Sequence, residues 1–140
     1  MSNLQLKITS KSMLELHKHA FKAQLKGHQE VCGVILRNSN GFLNFEYLVN
    51  RSTKPGAFQF NVTDIEPVSE RASLLGQEVI GSFHSHPLSE PVPGDGDIKN
   101  AFYKNIEFIY DVCGREGRLW QLKDNNLVVE LDFKVISDSW

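Results

Sequence analysis

Residues 84–97 read HSHPLSEPVPGDGD. Two histidines one residue apart, followed by proline and then by several carboxylates, form a pattern that can hold a metal ion. In an extended chain, side chains at i and i+2 point to the same face. A strand ending here therefore projects His84 and His86 side by side and turns Ser85 away. Two imidazoles in that arrangement supply two of the three protein ligands that a catalytic zinc ordinarily takes. Pro87 stops the strand and starts a loop. That loop is stiffened by three prolines and loosened at Gly94 and Gly96, and it can return Asp97 to the strand mouth as an oxygen ligand. Glu90 and Asp95 lie in the same loop, and spacing alone does not choose among the three acids. A His₂Asp set leaves a fourth position for water, whose pKa zinc lowers to about 7.

The flanking sequence must supply a scaffold for this stretch. Met13, Leu16, Ala20 and Ala23 recur at helical spacing, predicting a helix over 12–26 that is capped by Ser10 or Ser12 and ended at Gly27. EVCGVILR (30–37) and FLNFEYLV (42–49) read as strands, joined into a hairpin by the turn NSNG. Residues 50–61 read as a loop, with an extended piece near Phe58–Phe60. A second helix is expected over 64–75, with Asp64 as its cap. EVIGSFHSH (78–86) is a strand leading into the histidine loop, and a short helix is expected over 97–104. Three more strands follow: 106–113, 118–123 and 127–135, the last two separated by a turn at 124–126. The pattern predicts an α/β fold of α+β-like type, with a mixed, mostly antiparallel sheet flanked by helices.

Composition narrows the function. The chain has 140 residues, 41% hydrophobic and 23% charged, with net charge −2, an ordinary balance for one globular domain. Acidic and basic residues are interspersed, so no basic stripe invites nucleic acid or an anionic membrane. The start lacks a signal-peptide core and no apolar run approaches a membrane span, so the protein is expected in the cytoplasm. Cys32 and Cys113 lie far apart in strand-like runs and read as buried, reduced thiols. His17 and His19 fall on different sides of the first helix, so they are not expected to share a metal. His28 reads as a surface residue, and Trp120 and Trp140 as packing residues. Neither GxSxG, a Cys–His signature nor HExxH is present.

The stretch HSHP, six residues, one small residue, two residues and Asp97 resembles the signature of the JAMM/MPN+ metalloproteases of the JAB/MPN superfamily. Their pattern is His-(Ser/Thr)-His-Pro-x₆-Ser-x₂-Asp, with a glutamate on an early strand. HQEVCGVIL places Glu30 in that position, and the resemblance spans roughly residues 12–113. It implies a single MPN/JAB-type domain over 1–140, with a cytidine-deaminase-like architecture and the properties of a small prokaryotic or phage-type member. It further implies that His84, His86 and Asp97 bind one zinc ion, and that Glu30 is the general acid/base, taking a proton from water and passing it to the leaving amine. Ser85 is left to packing or to orienting a histidine. Gly94 departs from the pattern: the family has a serine there whose hydroxyl stabilises an oxyanion. Ser89, a backbone N–H or a water is available to replace it.

For function, the resemblance implies a zinc-dependent (iso)peptidase acting at the C-terminal tail of a ubiquitin-like protein, in deconjugation or precursor processing. The partner is then a protein substrate, with neither nucleic acid nor membrane involved. The tail is expected to add as a strand beside the HxH strand. Two other readings fit the same motifs: a non-catalytic MPN-type assembly or binding module, and a phage tail-assembly peptidase.

Overall fold

The first helix starts where Thr9 leaves extended backbone and its hydroxyl accepts the Ser12 N–H at 3.1 Å, so the cap lies just before the two serines expected to provide it. This helix, α1 (Ser10–Leu25), buries Leu16 and Ala20 and stops at Gly27, whose φ of +84° lies in the left-handed region open to glycine. The second helix, α2 (Val62–Leu74), is capped by Asn61. Asp64, three residues in, returns its carboxylate to the Asn61 N–H at 3.0 Å, completing a capping box rather than serving as the cap. The computed structural model describes residues 5–52, 54, 57–94 and 103–137. The expected short helix over 97–104 falls mostly outside them; residues 103–105 form one 3₁₀ turn.

Eight strands are described: β1 (Lys7–Thr9), β2 (Cys32–Arg37), β3 (Leu43–Leu48), β4 (Glu78–His86), β5 (Ile106–Asp111), β6 (Glu116–Lys123), β7 (Leu127–Leu131) and β8 (Lys134–Ile136). Six form one sheet in the order β3-β2-β4-β5-β6-β7. Every neighbouring pair in it is antiparallel except β4–β5. The strand expected over 127–135 is two strands. The chain leaves the sheet after Leu131, and β8 pairs in parallel with β1, a strand the sequence pattern did not signal. Among the described residues, no helix is long and apolar enough to cross a membrane.

The sheet has a helix on each face. Leu16 and Ala20 of α1 pack with Ile35, Phe83, Phe108, Tyr110 and Leu119. Ile65, Val68 and Ala72 of α2 pack with Val34, Leu36 and Val79. Residues 81–86 of β4 are all buried, as a central strand covered on both faces requires. A register shift opposite Ile35/Leu36 turns Val79 onto the α2 face that His84 also occupies. Within β2, Gly33 leaves room for its neighbours: a Cβ there would stand 2.0 Å from the Glu46 carbonyl oxygen and 2.6 Å from Cε1 of Phe83. Gly33→Ala must therefore part β2 from β3 or displace the Phe83 ring. It is expected to cost about 1–3 kcal/mol in denaturant unfolding, and an unchanged midpoint would show that the packing here is loose.

Candidate active site

The parallel pair within the six-stranded sheet places the C-terminal ends of β4 and β5 together, with His84 beside Ile109 and His86 beside Asp111. Parallel neighbours cannot be joined by a tight turn, and the loop that follows His86 contributes Leu88, Ser89, Glu90, Val92 and Gly94 to this end of the sheet. The antiparallel partner on the other side brings Cys32 opposite His84. Continuing that ladder by two residues sets Glu30 level with His86. Ser85 N–H donates to the Val31 carbonyl at 3.1 Å, consistent with that continuation. Glu30, His86, Leu88, Ser89, Glu90, Val92, Gly94, Asp111 and Cys113 line one cleft of about 760 Å³.

The two imidazoles are fixed through their outer nitrogens. His84 is fully buried, with Nδ1 2.5 Å from Oε2 of Glu107. The other oxygen of Glu107 accepts the Ser82 hydroxyl. His86 places Nδ1 2.7 Å from the Glu90 carbonyl. An acceptor at each Nδ1 assigns the proton to that nitrogen and leaves each Nε2 as a lone-pair donor. The two Nε2 atoms face each other at 3.0 Å. Two neutral lone pairs oppose one another at that distance, and a shared cation relieves the opposition. Tetrahedral zinc, with Zn–N bonds of about 2.0–2.1 Å, sets two nitrogens about 3.3 Å apart. The donor pair thus fits such an ion. Among the described residues, no cluster of three His, Cys, Asp or Glu side chains is close enough to enclose a metal. Asp97 and Asp95 lie outside the described residues.

The remaining expectations divide. Glu30 is buried and reaches the cleft. Ser85 is buried, and its hydroxyl accepts the Val31 N–H at 3.0 Å, so it holds the strand that follows Glu30. Gly94 and Ser89 line the cleft together. β4 is hydrogen-bonded to β2 on one edge and β5 on the other, so a substrate strand has no free edge beside the histidines. The expected mode of strand addition is corrected accordingly. Trp120 is half-buried, and its indole N–H donates to the Pro91 carbonyl at 2.9 Å, tying the histidine loop to β6. His17 and His19 do not converge: His17 bonds Tyr110 at 2.8 Å, while His19 lies against Tyr47. His28 is exposed, and Trp140 lies outside the described residues.

Two site residues went unmarked in the sequence reading. Glu107 is fully buried; its signal was a carboxylate flanked by apolar residues in the strand IEFIYDVC. Phe58 stacks on His84 with ring centroids 4.4 Å apart and planes 19° apart, and it comes from a loop with no periodicity to reveal it. That loop is tied to α2 where Arg51 grips Asp64 with two hydrogen bonds of 2.9 and 2.7 Å. The guanidinium and the Asn61 N–H hold the Asp64 carboxyl down at about 2.

Comparison with known proteins shows the family and the fold. Residues 9–123 match the family described as prokaryotic homologs of the JAB domain. The chain belongs to this family. A protein named desampylase from Pyrococcus furiosus is 28% identical over 130 residues, covering 89% of this chain and 91% of its own length. A second desampylase, from Haloferax volcanii, is 28% identical over 93 residues, covering 64% and 66%. The fold matches a solution structure of a protein from Desulfitobacterium hafniense, at TM-score 0.74 and 21% identity, covering 96% of this chain and 94% of that one. It also matches a crystal structure of a JAB1/MPN domain protein from Archaeoglobus fulgidus, at TM-score 0.59 and 15% identity, covering 94% and 99%.

The two cysteines are free and differ in setting. Cys32 is buried, and desolvation, aided by the Glu107, Glu30 and Asp64 carboxylates, pushes its thiol up to about 12. It is therefore a protonated packing group beside the site. Cys113 is exposed on the cleft, where a buried thiol was expected. Iodoacetamide at about pH 8 is expected to label Cys113 in the folded protein and Cys32 only after unfolding. Equal labelling of both in native protein would contradict the burial of Cys32.

Proposed function

We propose that the protein is a zinc-dependent isopeptidase of the JAMM type, hydrolysing the peptide or isopeptide bond at the C-terminal tail of a ubiquitin-like protein. The observation that carries this reading is the pair of Nε2 lone pairs facing each other at 3.0 Å, in a cleft that Glu30 also lines. The relatives named desampylase support a substrate from which a modifier is removed. His84 and His86 hold the ion, with Asp97 as the third ligand that the sequence motif assigns. Zinc at that position would acidify a water molecule and polarise the scissile carbonyl.

The chain's own groups do the rest. Glu30 accepts a proton from the attacking water as its oxygen bonds the carbonyl carbon. It returns that proton to the nitrogen as the C–N bond breaks, leaving a free carboxyl and a free amine. Glu107 keeps the His84 ring in the Nδ1–H tautomer, and the Glu90 carbonyl does the same for His86. Phe58 covers one face of the His84 ring and keeps water from it. The substrate tail lies in the open cleft between the 87–94 loop, where Leu88 and Val92 are exposed, and the end of β5.

The reading is tested with a panel of ubiquitin-like proteins, each carrying a peptide fused to its C-terminus or joined to a lysine. Mass spectrometry should show cleavage at the tail, abolished by a chelator and restored by zinc. Glu30→Gln should lower kcat at least 10²-fold, the order expected for loss of a general acid/base of this kind, while zinc still binds. Cleavage that survives chelation, or that Glu30→Gln leaves intact, excludes the mechanism. Separately, Glu107→Ala should weaken zinc binding about 10–100-fold in chelator competition; unchanged affinity would mean that Glu107 does not act through His84.

A further inference from the structure

Glu30 precedes β2, which begins at Cys32, so the regular ladder alone does not fix its backbone. Two side chains from elsewhere close on it instead. Ser85 receives the next residue's N–H, as described above. Asn50, just beyond the end of β3, donates from Nδ2 to the Glu30 carbonyl at 2.8 Å and to the Ala57 carbonyl at 3.1 Å. Its Oδ1 accepts the N–H groups of Ser52 at 2.9 Å and Gln59 at 3.0 Å. Two carbonyls at one end and two N–H groups at the other fix the orientation of the amide and use all four of its hydrogen-bonding positions. Resting on the functional reading above, we infer that Asn50 is a positioning residue for the general acid/base. Its amide locks the Glu30 backbone so that the carboxylate enters the cleft level with His86, and it joins that backbone to the loop that carries Phe58 onto His84.

The chemistry of the amide is required for this role. Serine and threonine are too short to bridge two carbonyls and two N–H groups. Aspartate, of the same shape, keeps the accepted bonds to Ser52 and Gln59 but opposes oxygen to the Glu30 and Ala57 carbonyls. Asn50→Asp thus releases Glu30 while leaving most of the loop pinned. A displacement of about 1 Å in a reacting group can cost on the order of 10²-fold in rate.

The experiment uses the full zinc-loaded chain and the fusion that the wild type cleaves. Asn50→Asp is expected to lower kcat about 10–100-fold, with KM and zinc affinity each within about twofold of wild type. Amide hydrogen exchange at residues 29–31 should rise in the same variant. In a Glu30→Gln background the substitution should cause no further loss, because both changes remove one function. Arg37→Ala, which breaks the exposed Arg37–Glu78 pair at the far end of β2 from Glu30, should leave kcat unchanged. If Asn50→Asp does not fold, Asn50→Ser is read in the same way. A folded variant with wild-type kcat, or with unaltered exchange at 29–31, or with a kcat loss that adds fully to that of Glu30→Gln, overturns the inference. If wild type cleaves no fusion, the functional reading falls, and the exchange measurement alone decides whether Asn50 holds the Glu30 backbone.

Discussion

A carboxylate with no exposed surface organises this molecule. Glu107 sits on β5, sealed in the sheet between Ser82 and His84 of the adjacent parallel strand. A buried carboxylate loses several kcal/mol of hydration, and only close hydrogen bonds offset that loss. Each oxygen of Glu107 has such a bond, and both come from β4. The consequence is geometric. If β4 and β5 slip by one residue, every side chain moves to the opposite face, and Glu107 loses both donors in an apolar layer. The carboxylate thereby specifies the register that sets His84 beside Ile109 and His86 beside Asp111. It also determines which nitrogen of His84 carries the proton, and so turns Nε2 toward Nε2 of His86. One buried group serves both the alignment of the sheet and the orientation of the His84 ring at the end of β4.

This arrangement explains how much of the site could be read from residues alone. The parity of HSH along an extended strand depends only on local geometry, so the shared direction of His84 and His86 was accessible, as were the paired strands around NSNG and the two helices with their apolar stripes. Contacts between segments distant in the chain were not. Glu107 lies 23 residues beyond His84, and its role depends on β5 being parallel to β4, which no local pattern encodes. Phe58 belongs to a loop whose course is set by Asn50 and by the Arg51–Asp64 pair. Neither contact leaves a periodic trace. The break between β7 and β8 has the same origin, since β8 exists because β1 offers it a parallel edge.

The division of the two strand pairings has a further meaning for the site. The histidines stand on a strand buried on both faces and bonded on both edges, the most constrained position the sheet offers. Glu30 stands outside the ladder, its carbonyl held by the Asn50 amide and the following Val31 N–H by the Ser85 hydroxyl. Under the proposed function, the two imidazoles need a fixed distance to each other, which a rigid central strand supplies. A proton carrier of the kind proposed for Glu30 must reach two positions in turn, that of the attacking water and that of the leaving nitrogen. A short segment anchored at its backbone, with its side chain in an open cleft, meets that need better than a strand interior would.

Gly94 can be placed in the same terms. The cleft wall that carries it is not loose chain: Trp120 holds the Pro91 carbonyl, His86 holds that of Glu90, and the Cys113 thiol donates to that of Pro87 at 3.2 Å. Three carbonyls of one short loop are thus turned inward and bonded. Oxyanion stabilisation depends on donors that are already oriented before charge develops, because reorienting them during the reaction costs what the interaction gains. A wall anchored in this way can present Ser89 and the backbone near Gly94 in a fixed relation to His86 and Glu30, all of which line the same space. Under the proposed function, glycine in place of the serine that the family pattern has at position 94 takes one donor from a wall anchored at Pro87, Glu90 and Pro91, and it lets a substrate backbone approach that wall more closely than any side chain would permit.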